Sequence, residues 1–148
     1  ALRHMAELAE AQHAGVIAVE EVPHDETDKY GIVDATSIDE RSAAIRYMVE
    51  KPKPADAPSN LAVVGRYVLP GRIFQLLEQT RPGAGGEIQL TDGLVRLLAE
   101  ERVIAYRFEG RRYDCGSKLG YLEASVELGL KHPEVGAGFR RFLAAHCK

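Results

Sequence analysis

The stretch Leu61-Ala-Val-Val-Gly-Arg-Tyr-Val-Leu69 carries the strongest strand signal in the chain, and Pro70 follows it directly. The run is apolar over most of its length, which predicts a buried strand. Gly65 inside the run indicates a bulge or a close approach of the backbone. Because proline suits the first turn of a helix, the sequence predicts a change from strand to helix at Pro70.

The same alternation of strands and helices continues on both sides of this stretch. Apolar runs predict further strands over residues 16–19, 31–33, 44–50 and 103–108. Apolar residues at helical spacing predict helices that include residues 2–9, 73–77, 88–98, 119–130 and 139–143. Strands separated by helices favour an α/β fold with a mixed, mainly parallel sheet flanked by helices. Ligands of such sheets bind at the carboxyl ends of the strands.

The run over residues 44–50 alternates along its whole length. Strict alternation predicts Ile45, Tyr47 and Val49 on one face of the strand. Arg46, Met48 and Glu50 then lie on the other face.

Length and composition exclude several classes of protein. The chain has 148 residues, 45% of them apolar and 28% charged, which predicts one compact globular domain over residues 1–148. Its net charge is −3, so no excess of basic residues is left to bind a nucleic acid by counterion release. The longest apolar stretch is too short to span a bilayer, so no membrane association is expected.

The termini and the cysteines indicate the compartment. The N-terminal residues 1–4 (Ala-Leu-Arg-His) show no signal-peptide pattern, and Cys115 and Cys147 are too few for a disulfide scaffold. These features predict a cytoplasmic protein. No convincing N-cap precedes the first helix, so we expect the chain to begin inside an element, as a remnant of a longer protein would.

Two candidate functional spots lie at the ends of predicted strands. Tyr30-Gly31 opens a strand, where a glycine either serves turn geometry or lets a ligand approach the backbone. Glu50-Lys51 ends a strand and is followed by Pro52, and it is either a solvated ion pair or a site for a polyol and an anion. Successive strand residues point to opposite faces, so Glu50 and Lys51 can meet one ligand only if the backbone turns at Lys51.

The third spot, Asp114 to Ser117, comes just before a predicted helix. Either of these two side chains could simply cap that helix. Alternatively, Asp114 could hold Mg²⁺, which prefers a few carboxylates together with phosphate oxygens and waters. One aspartate is not a complete metal site.

Six runs, taken in this order, are far more specific than any of these spots alone. They are GVIAVEEVP (15–23), KYGIV (29–33), VEKP (49–52), PSNLAVVGRYV (58–68), GEIQLTD (86–92) and DCGSKLGY (114–121). Together they resemble the bacterial UTP–glucose-1-phosphate uridylyltransferase family, and the match corresponds to the C-terminal half of that family's enzymes. The resemblance implies a nucleotide-diphospho-sugar transferase (Rossmann-like) fold that here lacks its N-terminal nucleotide-binding half.

The resemblance also implies an activity and its site. In that family an oxygen of glucose 1-phosphate attacks the α-phosphorus of UTP, giving UDP-glucose and pyrophosphate. Gly31 would meet the sugar through its backbone, with Tyr30 alongside, and Val64 would line the sugar pocket. Glu50 would accept hydrogen bonds from glucose hydroxyls, and Lys51 would neutralise the phosphate of the sugar.

The implied metal site and partners follow in the same way. Asp114 would be one of two carboxylates on Mg²⁺, and with Lys51 it would form the catalytic pair. The family's glycine-rich basic loop, uridine pocket and second metal-binding aspartate do not occur here, so we expect this chain alone to be inactive. The family suggests a homo-oligomer. Two alternatives stay open: a related sugar nucleotidyltransferase that uses dTTP or ATP, and a non-catalytic interaction module.

Overall fold

The computed structural model describes residues 1–83 and 86–146. Cys147 therefore lies outside the described residues. The chain divides into two compact units, Ala1–Glu109 and Gly110–Lys148. Among the described residues, no helix is both long enough and apolar enough to cross a bilayer.

The strands and helices predicted from the sequence are all present. The first unit contains α1 (Leu2–Gln12), β1 (Gly15–Glu21), β2 (Gly31–Ser37), β3 (Ser42–Glu50), β4 (Leu61–Val68), α2 (Arg72–Glu78), α3 (Leu90–Leu98) and β5 (Val103–Arg107). Two short 3₁₀ helices, His24–Lys29 and Pro54–Asp56, connect strands of this unit. The second unit contains α4 (Lys118–Lys131) and α5 (Gly136–His146).

The five strands close into a barrel in the order β1-β4-β2-β3-β5. The predicted α/β class with a mixed sheet is confirmed, but the expected majority of parallel pairs is not found. Among the described strands only β1 and β5 pair in parallel, and the other four pairs are antiparallel. The lengths of the connections contribute to this difference. A parallel pair needs a crossover of a dozen or more residues, whereas a short turn joins β2 to β3 and makes them antiparallel.

A bulge in β3 changes which of its residues face the core. Tyr47 pairs with Asp34, whereas Ile45 already pairs with Ala35, so Arg46 is an extra residue in the ladder. Ile45 and Met48 are therefore both buried, while the Tyr47 side chain is 52% exposed. The strict alternation predicted from the sequence was wrong on this point, since it placed Met48 on the face opposite Ile45.

The main core of the first unit lies between the strands and the helices α2 and α3. Its buried members are Ile17, Val19, Val33, Ile45, Met48, Ile73, Leu76, Leu94, Leu97, Val103 and Ala105. A second cluster, built around Met5 of α1 with Val16, Ala18, Ile104 and Tyr106, covers the other face. The first cluster anchors α3 against β3, so that the first turn of α3 lies beside the carboxyl end of that strand.

Candidate functional site

The candidate site is built at the carboxyl end of β3, opposite the first residue of β2. The ladder places Gly31 directly across from Glu50. A Cβ atom added to Gly31 would lie 3.2 Å from Oε2 of Glu50 and 3.8 Å from the Thr91 hydroxyl. A contact of 3.2 Å is tight for a Cβ, so the glycine leaves the carboxylate room that any side chain would take away.

The backbone turns immediately after Glu50, as the sequence analysis required if both charged residues were to meet one ligand. Lys51 adopts a left-handed conformation, with φ of 45°, and its N–H donates to the carbonyl of Tyr30 at 2.9 Å. The turn brings Nζ of Lys51 to 4.0 Å from Oε1 of Glu50. A left-handed conformation costs a residue with a Cβ about 1 kcal/mol or more, so the surrounding contacts hold this turn in place.

The two charged side chains remain open to water. The side chain of Lys51 is 63% exposed and that of Glu50 is 34% exposed. An ion pair this accessible contributes little to the stability of the fold. The arrangement is therefore better suited to contacting a ligand than to holding the protein together.

Helix α3 contributes a contact that the sequence analysis missed. The Thr91 hydroxyl donates a hydrogen bond to Oε2 of Glu50 at 2.5 Å. The sequence places Thr91 within the predicted helix over residues 88–98 and indicates nothing further about its contacts. No local signal pairs it with Glu50, because the two residues are 41 positions apart.

Strand β4 supplies two further neighbours that were not predicted. The side chain of Val63 lies 3.8 Å from the position of a Cβ at Gly31. Tyr67 is half-buried, and its burial, with a smaller contribution from the negative charge of Glu50, raises the pKa of the Tyr67 hydroxyl. Both side chains pack against the main core cluster, on the same side of the sheet as Met48.

Val64 does not join this group. Its side chain packs against the Met5 cluster beneath α1, whereas the preceding residue, Val63, packs against the main cluster. Neighbouring strand residues point to opposite faces, which accounts for the difference. A role for Val64 in lining a sugar pocket stays a prediction, and Val63 is placed better for it.

In the second unit, Asp114 lies in the turn that leads into α4. Its Oδ1 accepts a hydrogen bond from the N–H of Gly116 at 3.0 Å, and the residue is exposed. The predicted cap is confirmed for Ser117, whose hydroxyl oxygen accepts from the N–H of Gly120 at 3.0 Å. Asp114 thus shapes the turn through one carboxylate oxygen.

Charged contacts hold this turn on α4. Arg111 donates to Glu123 at 3.0 Å and also contacts Glu127, and its guanidinium lies 5.0 Å from the centre of the Tyr113 ring. The Glu127 carboxylate accepts a hydrogen bond from the Tyr113 hydroxyl, and this bond raises the pKa of Tyr113. The segment before Asp114 is therefore ordered by contacts within the second unit.

A magnesium ion fits Asp114 only as one ligand among several. Mg²⁺ is bound by one or two carboxylates, with waters and substrate phosphates completing its shell. Within residues 1–83 and 86–146, no group of three or more His, Cys, Asp or Glu side chains could hold a metal ion. Any metal at Asp114 must therefore take its remaining ligands from elsewhere.

A carboxylate and an ammonium at a strand end, beside a glycine that leaves the backbone open, can accept hydrogen bonds from hydroxyl groups and neutralise an anion. Residues 1–129 match the Nucleotidyl transferase family, and the chain belongs to that family.

Individual relatives narrow the comparison and confirm the resemblance seen in the sequence. The chain is 48% identical over 124 residues to a UTP–glucose-1-phosphate uridylyltransferase of Pseudomonas aeruginosa, covering 84% of this chain and 44% of the relative. The solved structure of a UDP-glucose pyrophosphorylase from Acinetobacter baumannii is 44% identical with a TM-score of 0.85, and the match covers 97% of this chain and 50% of that one. The structure of a UDP-glucose pyrophosphorylase complexed with UDP-glucose is 45% identical with a TM-score of 0.82, covering 88% and 49%. The chain thus spans about half the length of the relatives it matches.

Proposed function

We propose that this chain is the sugar-phosphate-binding portion of a UTP–glucose-1-phosphate uridylyltransferase. In the proposed reaction, a phosphate oxygen of glucose 1-phosphate attacks the α-phosphorus of UTP. A new P–O bond forms, the bond to the β-phosphate oxygen breaks, and pyrophosphate leaves with UDP-glucose as the other product. Such a transfer needs positioning and charge neutralisation more than covalent help from the protein.

The observation that carries the proposal is the juxtaposition of Glu50 and Lys51 across from Gly31. A carboxylate accepts hydrogen bonds from sugar hydroxyls, and an ammonium 4.0 Å away can neutralise the phosphate of the same molecule. Gly31 opens its backbone to the sugar, and Tyr30 fixes the turn at Lys51 through its carbonyl. Neutralising the sugar phosphate also lowers its repulsion of the nucleotide's phosphates.

Members of the Nucleotidyl transferase family generally use a divalent metal ion. For this chain we propose Mg²⁺, with Asp114 as one of its protein ligands. When bound, the ion would neutralise charge on the reacting phosphates. Oδ1 of Asp114 accepts one hydrogen bond from the Gly116 N–H, and the carboxylate keeps further lone pairs that could bind the ion.

We also propose that the protein works in the cytoplasm. Cys115 is an exposed free thiol, which suits the reducing environment of the cytoplasm.

The proposed assembly is a homo-oligomer. Its support is a set of large apolar side chains that the described structure leaves more than half exposed on α4 and α5: Leu119, Tyr121, Leu122, Leu128 and Phe142.

The proposed function can be tested by joining the chain to the remaining half of the Pseudomonas aeruginosa relative and measuring the turnover of the joined protein. We expect the joined protein to release pyrophosphate from UTP only when glucose 1-phosphate is present, and the 148-residue chain alone to release none. Glu50→Ala should reduce kcat/KM for glucose 1-phosphate about 100-fold, since it removes a charged hydrogen-bond acceptor. Glu10→Ala, which removes an exposed carboxylate on α1, is the matched control.

Three results would contradict parts of this proposal. A preference for dTTP or ATP over UTP would assign the chain to a related sugar nucleotidyltransferase. Unchanged turnover in the Glu50→Ala protein would show that catalysis does not use Glu50 and would leave this chain as a non-catalytic interaction module of the joined protein. Synthesis of UDP-glucose by the pure chain would show that the half of the relatives that the chain does not match is not needed.

A further inference from the structure

The two oxygens of the Glu50 carboxylate have different surroundings. Oε2 accepts the hydrogen bond from the Thr91 hydroxyl at 2.5 Å, and it faces the space left by the missing side chain of Gly31. Oε1 lies toward Lys51, with Nζ at 4.0 Å. One oxygen is therefore engaged by the protein, while the other faces the exposed lysine.

From this asymmetry we infer that Thr91 is the positioning residue of the site: it holds Oε2 so that Oε1 is presented to the sugar. The inference rests on the proposed function, because it assigns the ligand of Oε1 as a hydroxyl of the sugar phosphate. Thr91 itself need not touch the ligand.

The fold gives Thr91 the rigidity that this role requires. Thr91 lies in the first turn of α3, and that helix is anchored in the main core by the fully buried Leu94 and Leu97. Glu50, by contrast, ends its strand, and the chain turns away at the next residue. A glutamate has three side-chain torsions to fix, so a hydroxyl on a helix anchored in the core restricts side-chain motion that would weaken ligand binding.

The hydrogen bond from Thr91 to Oε2 also leaves Oε1 available to accept a hydrogen bond from the ligand. A carboxylate has acceptor sites on both oxygens, and the Thr91 hydroxyl occupies part of the capacity of Oε2 alone. Because Lys51 can only donate, it does not compete for sugar hydroxyls that need an acceptor. A sugar phosphate can therefore use Oε1 for a hydroxyl and Nζ for its phosphate in a single pose.

A double-mutant cycle on the 148-residue chain tests the inference, with NMR titration by glucose 1-phosphate as the readout. Thr91→Val, which keeps the shape but removes the hydroxyl, should weaken glucose 1-phosphate binding about tenfold. Thr91→Ser should restore binding to within about twofold, because it keeps the hydroxyl. In a Glu50→Ala background, Thr91→Val should change the dissociation constant by less than about twofold.

Each outcome of this cycle either supports or overturns the inference that Thr91 positions Glu50. Equal binding by the wild-type and Thr91→Val chains would overturn the inference while leaving the proposed function intact. The same tenfold loss in the Glu50→Ala background would also overturn it, since Thr91 would then act through another group. If the Thr91→Val chain does not fold, the Thr91→Ala chain replaces it in the cycle. That variant also lacks the hydroxyl, and the same loss of binding is expected from it. A wild-type chain that binds no glucose 1-phosphate would reject the proposed function and the inference together.

Discussion

Replacing Lys51 with glutamine should weaken the binding of glucose 1-phosphate by about 100-fold, which corresponds to roughly 3 kcal/mol. Lys51 supplies the positive charge that the described structure places beside Glu50, and its Nζ is 4.0 Å from Oε1. Without that charge, the dianionic sugar phosphate meets only the negative carboxylate. The loss should be larger than the loss from removing an ordinary hydrogen bond, because repulsion by Glu50 is then uncompensated.

A matched control is available two residues along the chain. Lys53 is also an exposed lysine, but it lies in the loop after the site, and the ion pair with Glu50 in the described structure is formed by Lys51. Lys53→Gln changes the net charge equally and should alter the dissociation constant by less than about twofold, an effect of long-range charge only. If both variants bind equally well, the ammonium of Lys51 has no specific role in binding the phosphate.

Replacing Gly120 with alanine should have the largest effect on stability, confined to the second unit. A Cβ at Gly120 would lie 2.1 Å from the carbonyl oxygen of Asp114 and 2.8 Å from the hydroxyl oxygen of Ser117. The first contact is with backbone, which cannot turn away as a side chain can. We expect the variant to lose about 3 kcal/mol of unfolding free energy, with α4 losing its N-terminal cap.

Hydrogen exchange at the amides of α4 measures this effect locally, since exchange reports the opening free energy of each element. Gly138→Ala is the matched control, because Gly138 is a helical glycine whose added Cβ would meet only an arginine side chain at 3.9 Å. That variant should be neutral or stabilising by up to about 1 kcal/mol. Equal protection of α4 in the Gly120→Ala and wild-type chains would show that the turn at Asp114 can move without cost.

The sequence was informative about the site wherever neighbouring residues determined the geometry. Glu50 and Lys51 are adjacent, so the need for a turn between them followed from strand alternation alone, and the left-handed Lys51 provides it. The Ser117 cap was equally local, since its hydroxyl reaches a residue three positions further on. These interactions depend on short stretches of chain whose geometry varies little from one protein to another.

Features that depend on pairing between distant segments could not be predicted in this way. The extra residue Arg46 in the β3 ladder leaves no mark on the alternating pattern, yet it places Met48 on the same buried face as Ile45. The contact of Thr91 with Glu50 depends on where the main core places α3, and no periodicity reports that. The parallel content of the sheet was overestimated because the order of strands in a barrel depends on the lengths of all the connections.

If Glu50 and Lys51 bind one hexose phosphate together, a crystal structure of the chain with glucose 1-phosphate will show both contacts to the same molecule. We expect the phosphate within hydrogen-bond distance of Nζ of Lys51 and a sugar hydroxyl donating to Oε1 of Glu50, with the Thr91 hydroxyl still donating to Oε2. Glucose 1-phosphate bound with its phosphate away from Lys51, or with its sugar turned from Glu50, would contradict the claim.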